Sequence, residues 1–367
     1  MPSLIAYDAA LVGKSIPAQS KGGVPGESRL RGDSCPRIVE FSELVPFLEE
    51  LVSPELLQNQ SSAYSAYSAK KVSVMPIQTL GQPPHGARLL GGENAQICVK
   101  TGYMNEGDAY VIKVASGGAE GYGNSGFMMI GSQKSLQIQT MLFDEGILTE
   151  MRTAAATCLA SSILMPENIT KIGIVGGGVQ AIWQLRFLRL VTECRQVVVK
   201  TTSKETCEKF IEMMKSSEME MDREWIIHPY SEGEFRNCQL IHTLTPSRSP
   251  VLKLEEIGSD IGPCHISCVG ADSPGKQELD IEILEKADLL VCDSLVQTFE
   301  RGEFQQLKSG PKCNQVVEIG QLLNDDALRT KLVDENKPRL TVFDTSGVAI
   351  QDVMIATLCQ KLVEATA

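Results

Sequence analysis

The sequence predicts an α/β protein of two parts, one built on a parallel sheet covered by helices on both faces and the other on a short antiparallel sheet. Three observations predict it. From residue 171 onward apolar β-like runs alternate with helix-patterned stretches; residues 71–142 instead hold short β runs separated by turn residues; and 367 residues exceed what one core comfortably serves.

Taken in order, residues 1–34 are rich in Gly, Pro, Ser and Ala, as in Gly22-Gly23-Val24-Pro25-Gly26, and read as an extended lead-in. After a short extended start, Val39, Phe41, Leu44, Val45, Phe47, Leu48 and Leu51 recur at helical spacing, which predicts one amphipathic helix over 37–57. The runs 72–77, 95–101, 110–115, 127–132 and 136–143 predict an antiparallel meander. Asp144-Glu145-Gly146 makes a turn, and the small-residue stretch 151–164 reads as a buried helix that ends before Pro166. Strands are then expected at 172–175, 196–199, 240–243, 265–269, 289–292 and 316–318, with helices over 180–191 and 204–216. A further β-like run, 338–343, precedes a closing helix over 348–365 whose packing partner periodicity does not reveal.

Composition excludes several classes. A hydrophobic share of 43% with 22% charged residues is neither disordered nor fibrous, and no apolar run approaches the ~20 residues of a membrane span. A net charge of -12 argues against nucleic acid as a partner. The 11 cysteines are scattered without a C-x-x-C pair, so neither a disulfide framework nor a metal site is expected; Cys264 and Cys268 read as two buried thiols. With no secretory signal pattern at the N-terminus, the expected compartment is the cytoplasm.

The sharpest motif is Ile172-Gly173-Ile174-Val175-Gly176-Gly177-Gly178-Val179-Gln180-Ala181, a G-x-G-x-x-A pattern between a strand and a helix. Gly176 permits the tight turn, Gly178 lets backbone approach a pyrophosphate, and Ala181 lets helix and strand pack closely. This is the fingerprint of a Rossmann-type nucleotide-binding domain, and it points to NAD(H) or NADP(H). The next strand ends in Lys200-Thr201-Thr202-Ser203-Lys204 where an acidic residue commonly holds the NAD ribose, so hydroxyls and ammonium groups there admit a 2′-phosphate. Arg152 enters a helix of small residues, and the loop after 265–269 carries Asp272 at the carboxyl end of a strand, where open α/β sheets bind ligands.

Together Gly176 to Ala181, Arg152-Thr153-Ala154-Ala155-Ala156-Thr157, Val269-Gly270-Ala271-Asp272-Ser273-Pro274-Gly275-Lys276, Glu318-Ile319-Gly320 and Ser346-Gly347-Val348-Ala349-Ile350-Gln351-Asp352 make the sequence resemble the ornithine cyclodeaminase and mu-crystallin family, on its cyclodeaminase and alanine dehydrogenase branches. The resemblance implies a Rossmann-type domain (151–342) inserted into an α+β substrate and dimerisation domain (1–150 with 343–367). It implies a homodimer and a small amino-acid or imine substrate. Lys113 matches the family's catalytic lysine, Arg152 the arginine near nicotinamide and substrate, and Asp272 the carboxylate that engages the substrate amine. Asn124, Arg152, Thr153, Gly176, Gly178, Val179, Gln180, Thr201, Thr202, Lys204, Val269 and Gly270 are the implied cofactor contacts. Substrate contacts are Gln78, Lys113 and Arg152. Gln78 departs from the family, which usually has an arginine there to clamp the substrate carboxylate; a neutral amide cannot form that ion pair, which leaves Arg152 or Arg88 to do so. The expected activity is an oxidoreductase or lyase reaction at the C–N bond of a small L-amino acid through an imine. The alternative is a non-catalytic, NAD(P)H-regulated small-ligand-binding protein of mu-crystallin type.

Overall fold

The structure is a computed structural model that describes residues 35–81, 87–93, 95–258, 262–335 and 339–366. The lead-in expected over 1–34 lies outside the described residues, as does Pro338 of the run 338–343.

The alternation after residue 171 yields an eight-stranded sheet in the order Ile226–Pro229, Gln196–Lys200, Ile172–Val175, Leu240–Thr243, Cys264–Cys268, Leu340–Asp344, Leu289–Cys292, Val316–Glu318, with every neighbouring pair parallel. Every residue of Ile172–Val175, Leu240–Thr243, Cys264–Cys268, Leu289–Cys292 and Leu340–Asp344 is buried, because helices cover both faces; this is why Ile172–Val175 and Leu289–Cys292 read as unbroken apolar runs. Chain order reverses at Ile172–Val175, which lies between Gln196–Lys200 and Leu240–Thr243 and so opens a crevice at its carboxyl end.

The earlier strands form a second sheet in the order Arg37–Val39, Ile138–Leu142, Ser125–Ser132, Ala109–Gly117, Gln96–Met104, Val72–Val74, with Gln78–Leu80 also paired to Gln96–Met104. It is antiparallel except at Arg37–Val39, which runs parallel to Ile138–Leu142. The closing helix Ala349–Ala365 packs across Gln96–Met104 and Ala109–Gly117 and against the buried helix Ile147–Leu164. Its apolar face buries Val353, Ile355, Ala356, Cys359 and Val363.

Two expectations need correction. The single helix over 37–57 is broken: Phe41–Leu44 is one helical turn, Pro46 starts a 3₁₀ turn Val45–Phe47, and a regular helix begins only at Pro54. That helix, Pro54–Ser68, has a Ser- and Gln-rich sequence that hides its period, although Ser53 before Pro54 is a standard helix start. The run 72–77 is a strand only over Val72–Val74; the chain breaks at Pro76, which cannot donate to the ladder, and a second short strand, Gln78–Leu80, lies beyond the run.

Candidate functional site

At the carboxyl end of the parallel sheet a cavity of about 350 Å³ opens between the two sheets; its walls include Lys100, Lys113, Asn124, Glu150, Arg152, Thr153, Gln180, Arg248, Val269, Gly270, Asp272, Lys276 and Ser346. Each charged group has a definable origin. Lys100 and Lys113 face each other across neighbouring strands, Gln96–Met104 and Ala109–Gly117. Arg152 projects from the second turn of Ile147–Leu164, and Asp272 follows Cys264–Cys268.

Beneath the cavity, Asp352 Oδ1 accepts from Lys113 Nζ and from Arg152 Nε, each at 3.0 Å, with all three side chains buried. Burial raises the Asp352 carboxyl, but Lys113, Arg152 and Lys100 together outweigh it and hold that carboxyl below its ordinary range. Lys113 is lowered by burial and by the Arg152 cation, against the pull of Asp352. Lys100 Nζ donates to the carbonyl oxygens of Ser346 (2.9 Å) and Gly347 (2.6 Å), and burial with the nearby Lys113 brings it down to about 7. Asp272, partly exposed, accepts from Lys276 Nζ at 2.6 Å; the Lys276 and Arg301 cations hold its carboxyl below the usual range despite desolvation.

Buried carboxylates support the rim. Glu278 accepts from Thr243 Oγ1, from the backbone N–H and Oγ1 of Thr245, and from the Gly270 N–H, which ties together the two loops flanking the cavity. Gly270 must lack a Cβ, since one would lie 2.0 Å from the Thr245 carbonyl oxygen. Asp344 ends the strand that leads into Ser346, accepts from Thr298 Oγ1, and is pushed by burial up to about 8. A carboxyl raised on folding binds its proton more tightly in the folded state, so stability falls as pH rises from the unfolded value near 4 toward 8. Asp344→Asn is therefore expected to remove a slope of up to about 1.4 kcal/mol per pH unit over that window, read from urea midpoints at several pH values.

The glycine turn fits a dinucleotide. Gly176 has φ +111°, a Cβ on Gly178 would meet nothing within 4 Å, and Gly178 caps the helix Val179–Leu188 without any side-chain hydrogen bond; the Ala181 N–H donates to the Gly178 carbonyl oxygen, which leaves those of Val179 and Gln180 to face a ligand. Ala181 is fully buried and Val179 is exposed.

The structure thus brings Lys113, Asn124, Arg152, Thr153, Gln180, Val269, Gly270 and Asp272 to one cavity. Gln78 is not among them: it is exposed on the short strand Gln78–Leu80, opposite Val99, so its amide is not a cavity contact. Arg88 pairs with Glu93 on the surface, which leaves Arg152 as the one of the two suggested substitutes that reaches the cavity. Thr201 lies against Gly177, whereas Thr202 and Lys204 are exposed and Lys204 pairs with Glu208. Lys200, counted above among cations open to a phosphate, is instead bound to Glu256 Oε1 at 2.6 Å. Sequence reasoning missed Lys100, Glu150, Glu278 and the pairing role of Asp352. Glu150 accepts from Asn124 and from Gln180 in the cavity wall, and burial raises its carboxyl.

A doubly wound parallel sheet with a glycine turn at its reversal point and a charged cavity beside it defines an α/β protein of the nucleotide-binding class. The chain belongs to the ornithine cyclodeaminase/mu-crystallin family, whose sequence profile matches residues 102–366. It is 33% identical over 223 residues to alanine dehydrogenase from Archaeoglobus fulgidus, a match covering 59% of this chain and 63% of that enzyme, less than two thirds of its length. An archaeal alanine dehydrogenase dimer solved with bound NAD is similar in fold (TM-score 0.73, 24% identity, 90% of this chain and 97% of that one). So is the iminosuccinate reductase of Paracoccus denitrificans solved with NAD+ (TM-score 0.74, 21% identity, 90% and 97%). No described helix is long and apolar enough to cross a membrane.

Proposed function

We propose that the protein is an NAD(P)(H)-dependent enzyme that interconverts a small L-amino acid and its imine. The observation that carries this reading is the convergence of Lys113, Arg152 and Asp272 on one cavity beside the glycine turn. The relatives' names, alanine dehydrogenase and iminosuccinate reductase, support the same chemistry. Residues 1–150 with 343–367 would then form the substrate and dimerisation domain, 151–342 the nucleotide-binding domain, and the working unit would be a homodimer.

A bound dihydronicotinamide supplies a hydride in the reductive direction and accepts one in reverse. The remaining demands fall on the protein. Arg152 meets the substrate carboxylate with the guanidinium edge that Asp352 does not occupy, and Asp272 holds the nitrogen. As the new C–H bond forms, the C=N π pair passes to nitrogen, and a proton from Lys113 completes the amine. Burial that lowers Lys113 makes its proton easier to give near neutral pH.

The direct test follows dinucleotide absorbance with L-alanine, L-ornithine, pyruvate plus ammonium, and a cyclic ketimine. Silence across the panel rejects the reading. Asp272→Asn is expected to lower kcat/KM by ~10²–10⁴ while dinucleotide affinity stays within about threefold; equal loss of both would assign Asp272 a structural role.

A further inference from the structure

The charge of the cavity runs against that of the chain. The protein carries a net charge of -12, yet the cavity walls hold Lys100, Lys113, Arg152, Arg248 and Lys276 against two carboxylates, Asp272 and Glu150. Most of these cations have an anionic partner. Lys113 and Arg152 share Asp352, and Lys276 is paired with Asp272.

Lys100 differs. Its side chain is buried, its Nζ has two neutral carbonyl oxygens as partners, and among the described residues no carboxylate comes within ion-pair distance of it. Its neighbour across the strands is another cation, Lys113. Asp352, Asp293 and Asp272 act on it only from beyond ion-pair distance, and a buried ammonium whose hydrogen-bond partners are neutral, set beside a second cation, is costly to maintain. Two of its three N–H donors are committed to Ser346 and Gly347, which leaves one for a group in the cavity.

We propose that the substrate is a dicarboxylic amino acid and its imine, whose distal carboxylate pairs with Lys100 while the α-carboxylate takes Arg152. This rests on the imine reading above and names its substrate class. It also disfavours diamino acids, because a distal ammonium would meet Lys100 and Lys113 as like charges.

The experiment uses the purified full chain with NADH and NADPH and compares ammonium plus oxaloacetate or 2-oxoglutarate with ammonium plus pyruvate or 2-oxobutanoate. In each case the oxo acid and ammonia lose water to give the imine, which the reduced dinucleotide then reduces. The dicarboxylic acids are expected to give kcat/KM higher by at least about tenfold, and Lys100→Met to collapse that ratio by at least about tenfold. A parallel binding series sets malonate and succinate against acetate and propionate, scored by the rise in melting temperature of the dinucleotide-loaded protein. Monocarboxylic acids that serve equally well, or a ratio that K100M leaves unchanged, overturn the proposal while leaving the imine reading in place. No turnover of any oxo acid overturns the proposal, and if L-alanine, L-ornithine and the cyclic ketimine are silent too it rejects the imine reading with it; malonate and succinate binding no tighter than acetate then rejects the Lys100 assignment as well. If K100M does not fold, the wild-type ratio and the binding series decide.

Discussion

Replacing Asp352 with alanine is expected to destabilise the protein by about 3–5 kcal/mol and to lower kcat/KM by roughly 10² or more. The magnitude follows from what the carboxylate holds. Lys113 Nζ and Arg152 Nε both reach Asp352 Oδ1 at 3.0 Å, and none of the three side chains is more than 4% exposed, so removing the anion strands two cations away from water. The loss in rate has a separate cause: both cations project into the cavity from above this carboxylate, and a shift of about 1 Å in either misplaces the group it must meet. Asp352→Asn separates the two effects, since it keeps the shape and one acceptor oxygen but removes the charge. The sign with pH is set by the folded carboxyl lying below its unfolded value. Its contribution is fully present above the unfolded carboxylate range and is lost as pH falls through the folded value, so Asp352→Asn should flatten the acid limb of stability. Urea midpoints for D352A within about 1 kcal/mol of wild type would show that the ion pairs carry no net stability.

Legibility in the sequence followed the range of the interaction. The buried parallel strands and the glycine turn were readable because a strand's apolar run and a tight turn are properties of a few neighbouring residues. Arg152 and Asp272 were readable only as members of spaced motifs, and Lys113, alone, would pass for a lysine that keeps its charge in water. The pairing of Lys113 and Arg152 with Asp352 spans 239 and 200 residues, and no local pattern encodes it. Lys100 escaped for a related reason: its significance comes from the carbonyls of Ser346 and Gly347, which a turn at the far end of the chain brings over Gln96–Met104. Glu278 and Asp344 were hidden because a carboxylate in sequence gives no sign that folding will enclose it. Gln78 failed in the opposite direction. It was placed by its offset from Met75-Pro76, and a break at Pro76 followed by a short exposed strand carries it out of the cavity.

The turn that presents those carbonyls gives the second large effect, because Gly347 sits where three constraints meet. Its φ is +80°, its N–H donates to Asp293 Oδ2 at 2.7 Å, and its carbonyl accepts from Lys100. A Cβ there would lie 2.3 Å from Arg152 Nη1 and 2.8 Å from Nη2. On a surface an arginine would swing aside. This guanidinium is buried and pinned by Asp352, so the clash must be absorbed by moving either Arg152 or the turn itself. Moving Arg152 displaces the cation assigned to the substrate carboxylate; moving the turn withdraws a partner from Lys100. Gly347→Ala is therefore expected to lower kcat/KM by roughly 10² and stability by about 1–3 kcal/mol. Gly121→Ala supplies the control. Gly121 has nearly the same backbone angle, φ +78°, but a Cβ there meets nothing within 4 Å, so its substitution costs only the backbone strain. If both variants lose activity alike, positive φ alone is responsible; if G347A remains within about threefold of wild type, the position of Arg152 does not limit the reaction.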